Sequence, residues 1–516
     1  MNRKAFYPFL FSLVLVIGIL LGFLIRGHAP QTLNLAGGGS DKISEILNYI
    51  NYRYVDSVNI DQLYEEAVNG IFRHLDPHSA YIPASELKQV NESLEGRFEG
   101  IGIEFNILDD TIIVVSTLPG GPSEKLGILS GDKIIEIEDS VVAGIGITNQ
   151  EVIRRLKGPK GTEVRIKVAR FGIDTLIPFT ITRDRVTVPS VVARYMATPD
   201  IGYIRISQFA GETPREFREA LDTLKKMGMK KLILDLRDNG GGYLQAATEI
   251  ADELLDDRKL IVYTKGRAYP RKNYTAGKPG LFEEGELVVL VNEGTASASE
   301  ILAGAIHDWD RGTIMGRRTY GKGLVQDQIT LQDNSAIRLT IARYYTPSGK
   351  CIQRPYSNGV EEYNQEYLER LYETYEAHDT AVADTVEWGI KPDIILPVDT
   401  AKVLKLISQL NVRGIIQQYA YRYYGMHTHA YGRYKSPADF DQRYSMPETV
   451  YEGFVSFNKY TRSPVSQKDL WKYEEAFRKV IKGFVARNIF YTNGYFYFFN
   501  QLDAEYRAAL DYLENH

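Results

Sequence analysis

Three short stretches of this 516-residue chain hold residue types able to break an acyl bond. The first is Asn292-Glu293-Gly294-Thr295-Ala296-Ser297-Ala298-Ser299-Glu300, set between the apolar run Leu287 to Val291 and a helical pattern. Small residues around Ser297 let a carbonyl approach its hydroxyl, and the N–H of Ala298 stands at a helix N-terminus, where it can steady developing negative charge. The same residues also read as an ordinary small-residue helix cap. A serine nucleophile needs a base. His307 lies almost three turns further along the same helix, well over ~10 Å away at ~1.5 Å per residue, so no histidine triad through it is expected. The second stretch, Gly321-Lys322-Gly323-Leu324-Val325-Gln326, offers a lysine that can serve as base if burial keeps it neutral, with Gln326 placed to orient its nitrogen without adding charge. Read as a phosphate loop, it lacks the Gly-x-x-x-x-Gly-Lys-Ser/Thr pattern, and a surface turn lysine is the plain alternative. The third stretch, Asp235-Leu236-Arg237-Asp238-Asn239-Gly240-Gly241-Gly242, is a glycine turn that follows a compact apolar strand.

The surrounding patterns say what must hold these stretches. Apolar runs at 231–236 and 287–291 alternate with helical segments, which is α/β patterning and is assigned here to residues 186–397. Residues 88–185 hold short β-rich runs between glycine turns, with a single helix at 149–156, and predict a small β-rich domain. Residues 41–87 read as a helical cap, with Ile43, Ile46, Leu47 and Ile50 on one helical face. Residues 398–516 are aromatic, polar and partly helical, and read as an added segment of unknown role, its aromatics serving as core or interface. The fold class is therefore multidomain, α+β and α/β.

Taken together and in this order, the three stretches closely resemble the tail-specific, or C-terminal processing, serine protease family. The closing stretch Gly389-Ile390-Lys391-Pro392-Asp393-Ile394-Ile395-Leu396-Pro397 resembles it as well. The resemblance covers about residues 45 to 397. It implies a crotonase-like α/β core in which Ser297 is the nucleophile, Lys322 the general base and Gln326 the residue that positions the lysine. It further implies an oxyanion hole made by the N–H of Ala298 and one from Gly240 or Gly241, and no metal or organic cofactor. Thr295 departs from the serine the family often carries there, and keeps a small hydroxyl. Phe98-Glu99-Gly100-Ile101-Gly102-Ile103-Glu104-Phe105 looks like the carboxylate-binding loop of a PDZ domain and its peptide-pairing strand. Gly100, Ile101, Gly102 and Ile103 are then the residues that receive a substrate's free, apolar C-terminus. Two other functions compete: a PDZ scaffold with an inert core, and a coenzyme-A hydratase or hydrolase of the same core shape. The intact Ser297, Lys322 and Gln326 argue against the first, and a Ser–Lys pair beside a PDZ-like domain argues against the second.

Bulk properties fit this picture. With 61 basic and 66 acidic residues the formal charge is -5, and no basic block suits a nucleic acid. Cys351 is the single cysteine, so no intrachain disulfide forms. Residues 1–40 carry Arg3 and Lys4 before an apolar run from Phe9 to Ile25, closed by Arg26. That pattern reads as a retained signal anchor or as a cleaved signal peptide. Both place the body on the periplasmic or cell-envelope side, the former on a single inner-membrane anchor. A homo-oligomer or a regulatory partner is left open.

Overall fold

A computed structural model describes residues 39–376, 386–427, 430–461 and 463–516. Two compact units divide the chain after Ile71. The first contributes helix Gly39–Arg53 and most of helix Ile60–Arg73. The expected helical periodicity is present, but Ile43 and Ile46 are exposed. No helix among the described residues is long and apolar enough to cross a membrane. On that finding we correct the expectation of an N-terminal membrane anchor and of inner-membrane placement; the run from Phe9 to Ile25 itself lies outside the described residues.

The second unit begins at Phe72. Its centre is a six-stranded sheet in the order Val191–Met196, Ile201–Ile206, Lys231–Asp235, Leu287–Val291, Thr313–Gly316, Ile394–Ile395. The first pair is antiparallel and all later pairs are parallel. A parallel sheet is covered on both faces, which is why Leu287–Val291 is apolar at every position rather than at alternate ones. Leu232, Leu234, Val289 and Val291 pack with helices Thr213–Lys226, Leu244–Asp252 and Ala298–Asp308. The opposite face, Ile233, Val288 and Leu290, packs against Tyr506, Ala509 and Leu513 of the last helix, Ala504–Asn515. The end of the chain thus supplies one layer of the central core.

A second sheet joins strands Ala80–Ile82, Ala336–Tyr345, Leu260–Lys265 and Lys272–Thr275, with Leu324–Thr330 paired to Ala336–Tyr345. A third is antiparallel, in the order Ile103–Leu108, Thr111–Thr117, Lys133–Ile137, Glu163–Ala169, Ile177–Thr182, with helix Asn149–Leu156 closing its core. The short pair Arg97–Gly100 and Asp184–Thr187 ties the entrance and exit of this segment together. The helices from Lys402–Val412 to Glu474–Phe499 pack around their own aromatic core.

Candidate functional site

Strands Lys231–Asp235, Leu287–Val291 and Thr313–Gly316 are neighbours running in one direction. Their carboxyl ends therefore open on the same side, and open parallel sheets place their sites there. The glycine turn follows the first strand, the Ser297 loop the second and the Lys322 loop the third. Side chains and backbone lace the loops together. Thr295 Oγ1 donates to Leu236 O (2.9 Å), Asn292 Nδ2 donates to Asp238 Oδ1 (2.8 Å), and the Tyr320 N–H donates to Thr295 O (2.9 Å). Thr295 thus uses the hydroxyl it shares with serine.

Ser297 sits immediately before helix Ala298–Asp308, with φ 57° and ψ -116°. A residue with a Cβ is strained in that region, and such strain gathers at functional sites. It turns the side chain out of the junction into a cavity of about 680 Å³ that also receives Lys322, Gln326, Gly240, Gly241 and Ala298. Ser297 Oγ and Lys322 Nζ line this cavity without a direct hydrogen bond. Catalytic hydrogen bonds are often long until substrate closes the site.

Lys322 Nζ donates to Gln326 Oε1 (3.1 Å), and Gln326 Nε2 donates to the main-chain carbonyl of His78 (2.5 Å). Strand Leu324–Thr330 shifts register between Val325 and Gln326, and a bulge of that kind re-aims a side chain. Burial lowers the Lys322 ammonium below the usual lysine value, and the Arg338 guanidinium lowers it further, against opposing pulls from Asp76 and Glu300. His78 is a residue the sequence did not single out. Burial, then Lys322, pulls its imidazole down to about 4, with Asp76 opposing and Arg354 adding to the fall. It is neutral at neutral pH, its Nε2 3.2 Å from Tyr363 Oη. His307, by contrast, faces Asp308 and Asp393.

Glu300 is the second residue sequence reading passed over, although it lies within the quoted stretch. Fully buried, it takes the N–H of Ser297 on Oε2 (2.8 Å) and the N–H of Lys322 on Oε2 (2.9 Å). Its Oε1 takes the N–H of Gly321 (2.7 Å) and the hydroxyl of Thr319 (2.6 Å). One carboxylate therefore joins the serine and lysine backbones. Burial raises its carboxyl above the ordinary glutamate value, while those four donors pull it back. The spacing Ser-x-x-Glu at a helix start is the signal that could have found it. The Tyr344 hydroxyl braces the same junction, its one proton within hydrogen-bond reach of both Ser297 O (3.0 Å) and Lys322 O.

The glycine turn lies directly against the serine. A Cβ on Gly241 would stand 2.8 Å from Ala298 N and 2.7 Å from Ala296 O, and its φ is 96°, so glycine alone fits. The Gly241 N–H donates to Asn239 Oδ1 (2.9 Å).

Gly100, Ile101, Gly102 and Ile103 stand apart from this cavity, at the start of the third sheet. Gly102 has φ 75°, and Ser123 closes the turn by donating from Oγ to Ile101 O (2.7 Å). Strand Ile103–Leu108 is terminal in its sheet and pairs on one side, with Thr111–Thr117.

Known proteins match these parts separately. The family model for peptidase family S41 matches residues 200–362, that for the PDZ domain residues 113–170, and a family of unknown function residues 406–491. A carboxy-terminal-processing protease of Bartonella bacilliformis is 39% identical over 317 residues, covering 60% of this chain and 72% of the relative. The carboxy-terminal processing protease CtpA of Bacillus subtilis is 32% identical over 359 residues, covering 69% and 76%. A carboxyl-terminal-processing protease of Picosynechococcus is 33% identical over 371 residues, covering 67% and 87%. On these matches, the chain belongs to the carboxy-terminal-processing proteases of peptidase family S41 and is a PDZ-bearing serine endopeptidase.

Proposed function

We propose that Ser297 is the nucleophile and Lys322 the general base of a peptide-bond hydrolysis directed at C-terminal tails. The observation that carries this reading is a buried, pKa-lowered lysine sharing one cavity with a strained serine at the ends of adjacent parallel strands. Neutral Lys322 takes the Ser297 proton as Oγ bonds to the substrate carbonyl carbon. Gln326 holds the lysine nitrogen, and backbone donors hold the oxyanion. The C–N bond then breaks and the Lys322 ammonium protonates the leaving amine. Lys322, neutral again, takes a proton from water as the water oxygen bonds to the acyl carbon. The C–Oγ bond then breaks and the Lys322 ammonium returns that proton to Ser297 Oγ, releasing the acid.

The N–H of Ala298 is the first oxyanion donor. Gly240 or Gly241 gives the second, and for Gly241 this requires sharing or releasing its bond to Asn239. We assign the catalytic role to residues 186–397, with a crotonase-like core, and tail binding to residues 88–185. Residues 41–87 are assigned as a helical cap. In tail binding, the turn Gly100–Ile103 receives the terminal carboxylate and the tail adds beside strand Ile103–Leu108.

The test compares cleavage of an unstructured peptide ending in an apolar free acid with its C-terminal amide, using the full chain, Ser297→Ala and Lys322→Ala. Preferential cleavage of the acid, lost in both variants, is expected. Cleavage that survives Ser297→Ala would overturn the assignment of the nucleophile. Equal cleavage of acid and amide would remove the carboxylate-reading role.

A further inference from the structure

A buried ion network joins the end of the chain to all three loops of the protease site. Arg237 belongs to the glycine-turn stretch. It commits its N–H, Nε and Nη2 to Asp235 at 3.0, 3.0 and 2.7 Å. Its remaining nitrogen, Nη1, meets Glu505 Oε2 at 2.9 Å and Asp503 Oδ2 at 2.7 Å. The other oxygen of Glu505 takes Nη1 of Arg317, the residue that opens the run to Lys322. Arg317 Nε in turn donates to Glu293 (2.6 Å), at the head of the loop that carries Ser297. Side-chain exposure is 8% for Arg237, 12% for Arg317, 10% for Glu505 and 7% for Glu293, so these charges are held in little solvent. Charge-assisted pairs in such surroundings fix geometry as well as contribute energy.

We propose that Glu505 is a positioning residue for the protease site, setting the glycine turn through Arg237 and the lysine loop through Arg317. The turn has little tolerance for displacement, since Gly241 packs against the backbone on both sides of Ser297. A shift of about 1 Å at a reacting centre costs on the order of a hundredfold in rate. A purely structural role, fastening the last helix to the sheet, is already filled by Tyr506, Ala509 and Leu513, all buried on the sheet face. Glu505 lies at the Tyr506 end of that contact, beside the carboxyl ends of the strands, where its carboxylate meets Arg237 and Arg317.

The inference rests on the Ser297–Lys322 reading, and the experiment keeps the two apart. In the full chain, kcat and KM on the free-acid peptide are measured with the rate at which an organofluorophosphonate labels Ser297. Each variant is assayed below its own unfolding temperature. Glu505→Gln is expected to lower kcat and the labelling rate together by about 10- to 100-fold, with KM within about twofold, because a group acting on the reacting centre moves kcat. Glu505→Asp is expected to recover part of the loss. Leu513→Ala is expected to lower the unfolding temperature and leave kcat in place. A kcat for Glu505→Gln within about twofold of the parent, whatever its stability, overturns the proposal. Should that variant not fold, Arg317→Gln leaves the Glu505–Arg237 pair intact and reads the same link, and an unchanged kcat there overturns it equally. Persistent cleavage by Ser297→Ala identifies failure of the site reading itself.

Discussion

At the scale of single residues, the site stores strain and buries charge. Ser297 holds φ 57° and ψ -116°, a conformation that glycine adopts without a Cβ penalty. Ser297→Gly and Ser297→Ala should both be inactive, yet Ser297→Gly should be the more stable of the two by about 1 kcal/mol. Paired thermal unfolding checks this, and equal or inverted stabilities would show that the junction relaxes. Small residues at a strand–helix junction and a glycine-flanked lysine are local patterns, so Ser297 and Lys322 stood out as candidates, while their proposed roles came from the resemblance to the family. Glu300 was legible in principle, since its spacing from Ser297 is a local pattern too. His78 was not. It meets Gln326 through a main-chain carbonyl, and a carbonyl leaves no trace in residue type.

At the scale of elements, strand pairing sets the chemistry of the base. Arg338 lies on Ala336–Tyr345, the strand paired with Leu324–Thr330 just beyond Lys322, and its charge depresses the lysine. A base acts when deprotonated, so kcat/KM should rise with pH through a pKa below the ordinary lysine value. Removing a neighbouring positive charge stabilises the ammonium and raises that pKa. Arg338→Gln should therefore move the ascending limb to higher pH, measurable in a pH–rate profile. A limb that stays in place would assign the depression to burial alone. Elements beyond the catalytic core show the same dependence on neighbours. Helix Glu474–Phe499 breaks at Phe490 and Tyr491, where Tyr491 takes φ 54°. Next to the break Arg487 pairs with Glu104 of strand Ile103–Leu108 at 2.7 Å, and Tyr491 meets Glu124. The aromatic runs after 398 had signalled core or interface without saying against what, and they build both.

At the scale of the whole molecule, the turn proposed for tail capture and the site proposed for bond cleavage stand apart, and their losses should separate in kinetics. Gly102→Val puts a β-branched side chain at φ 75°, with Val186 3.3 Å from the new Cβ, and should distort the turn proposed to take the carboxylate. The expected result is a KM for the free-acid peptide raised by about tenfold with kcat near the parent value, the mark of lost binding shared by ground and transition states. An equal fall in kcat would tie the turn to the chemistry.

The chain's order of residues marked Ser297, Lys322 and Gln326 as candidates, and its resemblance to the tail-specific proteases implied the reaction type. It also determined the alternation of strands and helices that makes a parallel sheet, because that alternation is a local property of residue type and spacing. Tertiary structure alone decided that three loops far apart in sequence open side by side, since that follows from which strands become neighbours. It decided that the His78 carbonyl backs Gln326, and that the last helix roofs one face of the central sheet while Glu505 pairs with Arg237 and Arg317 at the carboxyl ends of its strands. An apolar helical stripe states that a face must be covered. Which surface covers it is settled by the packing of the folded chain.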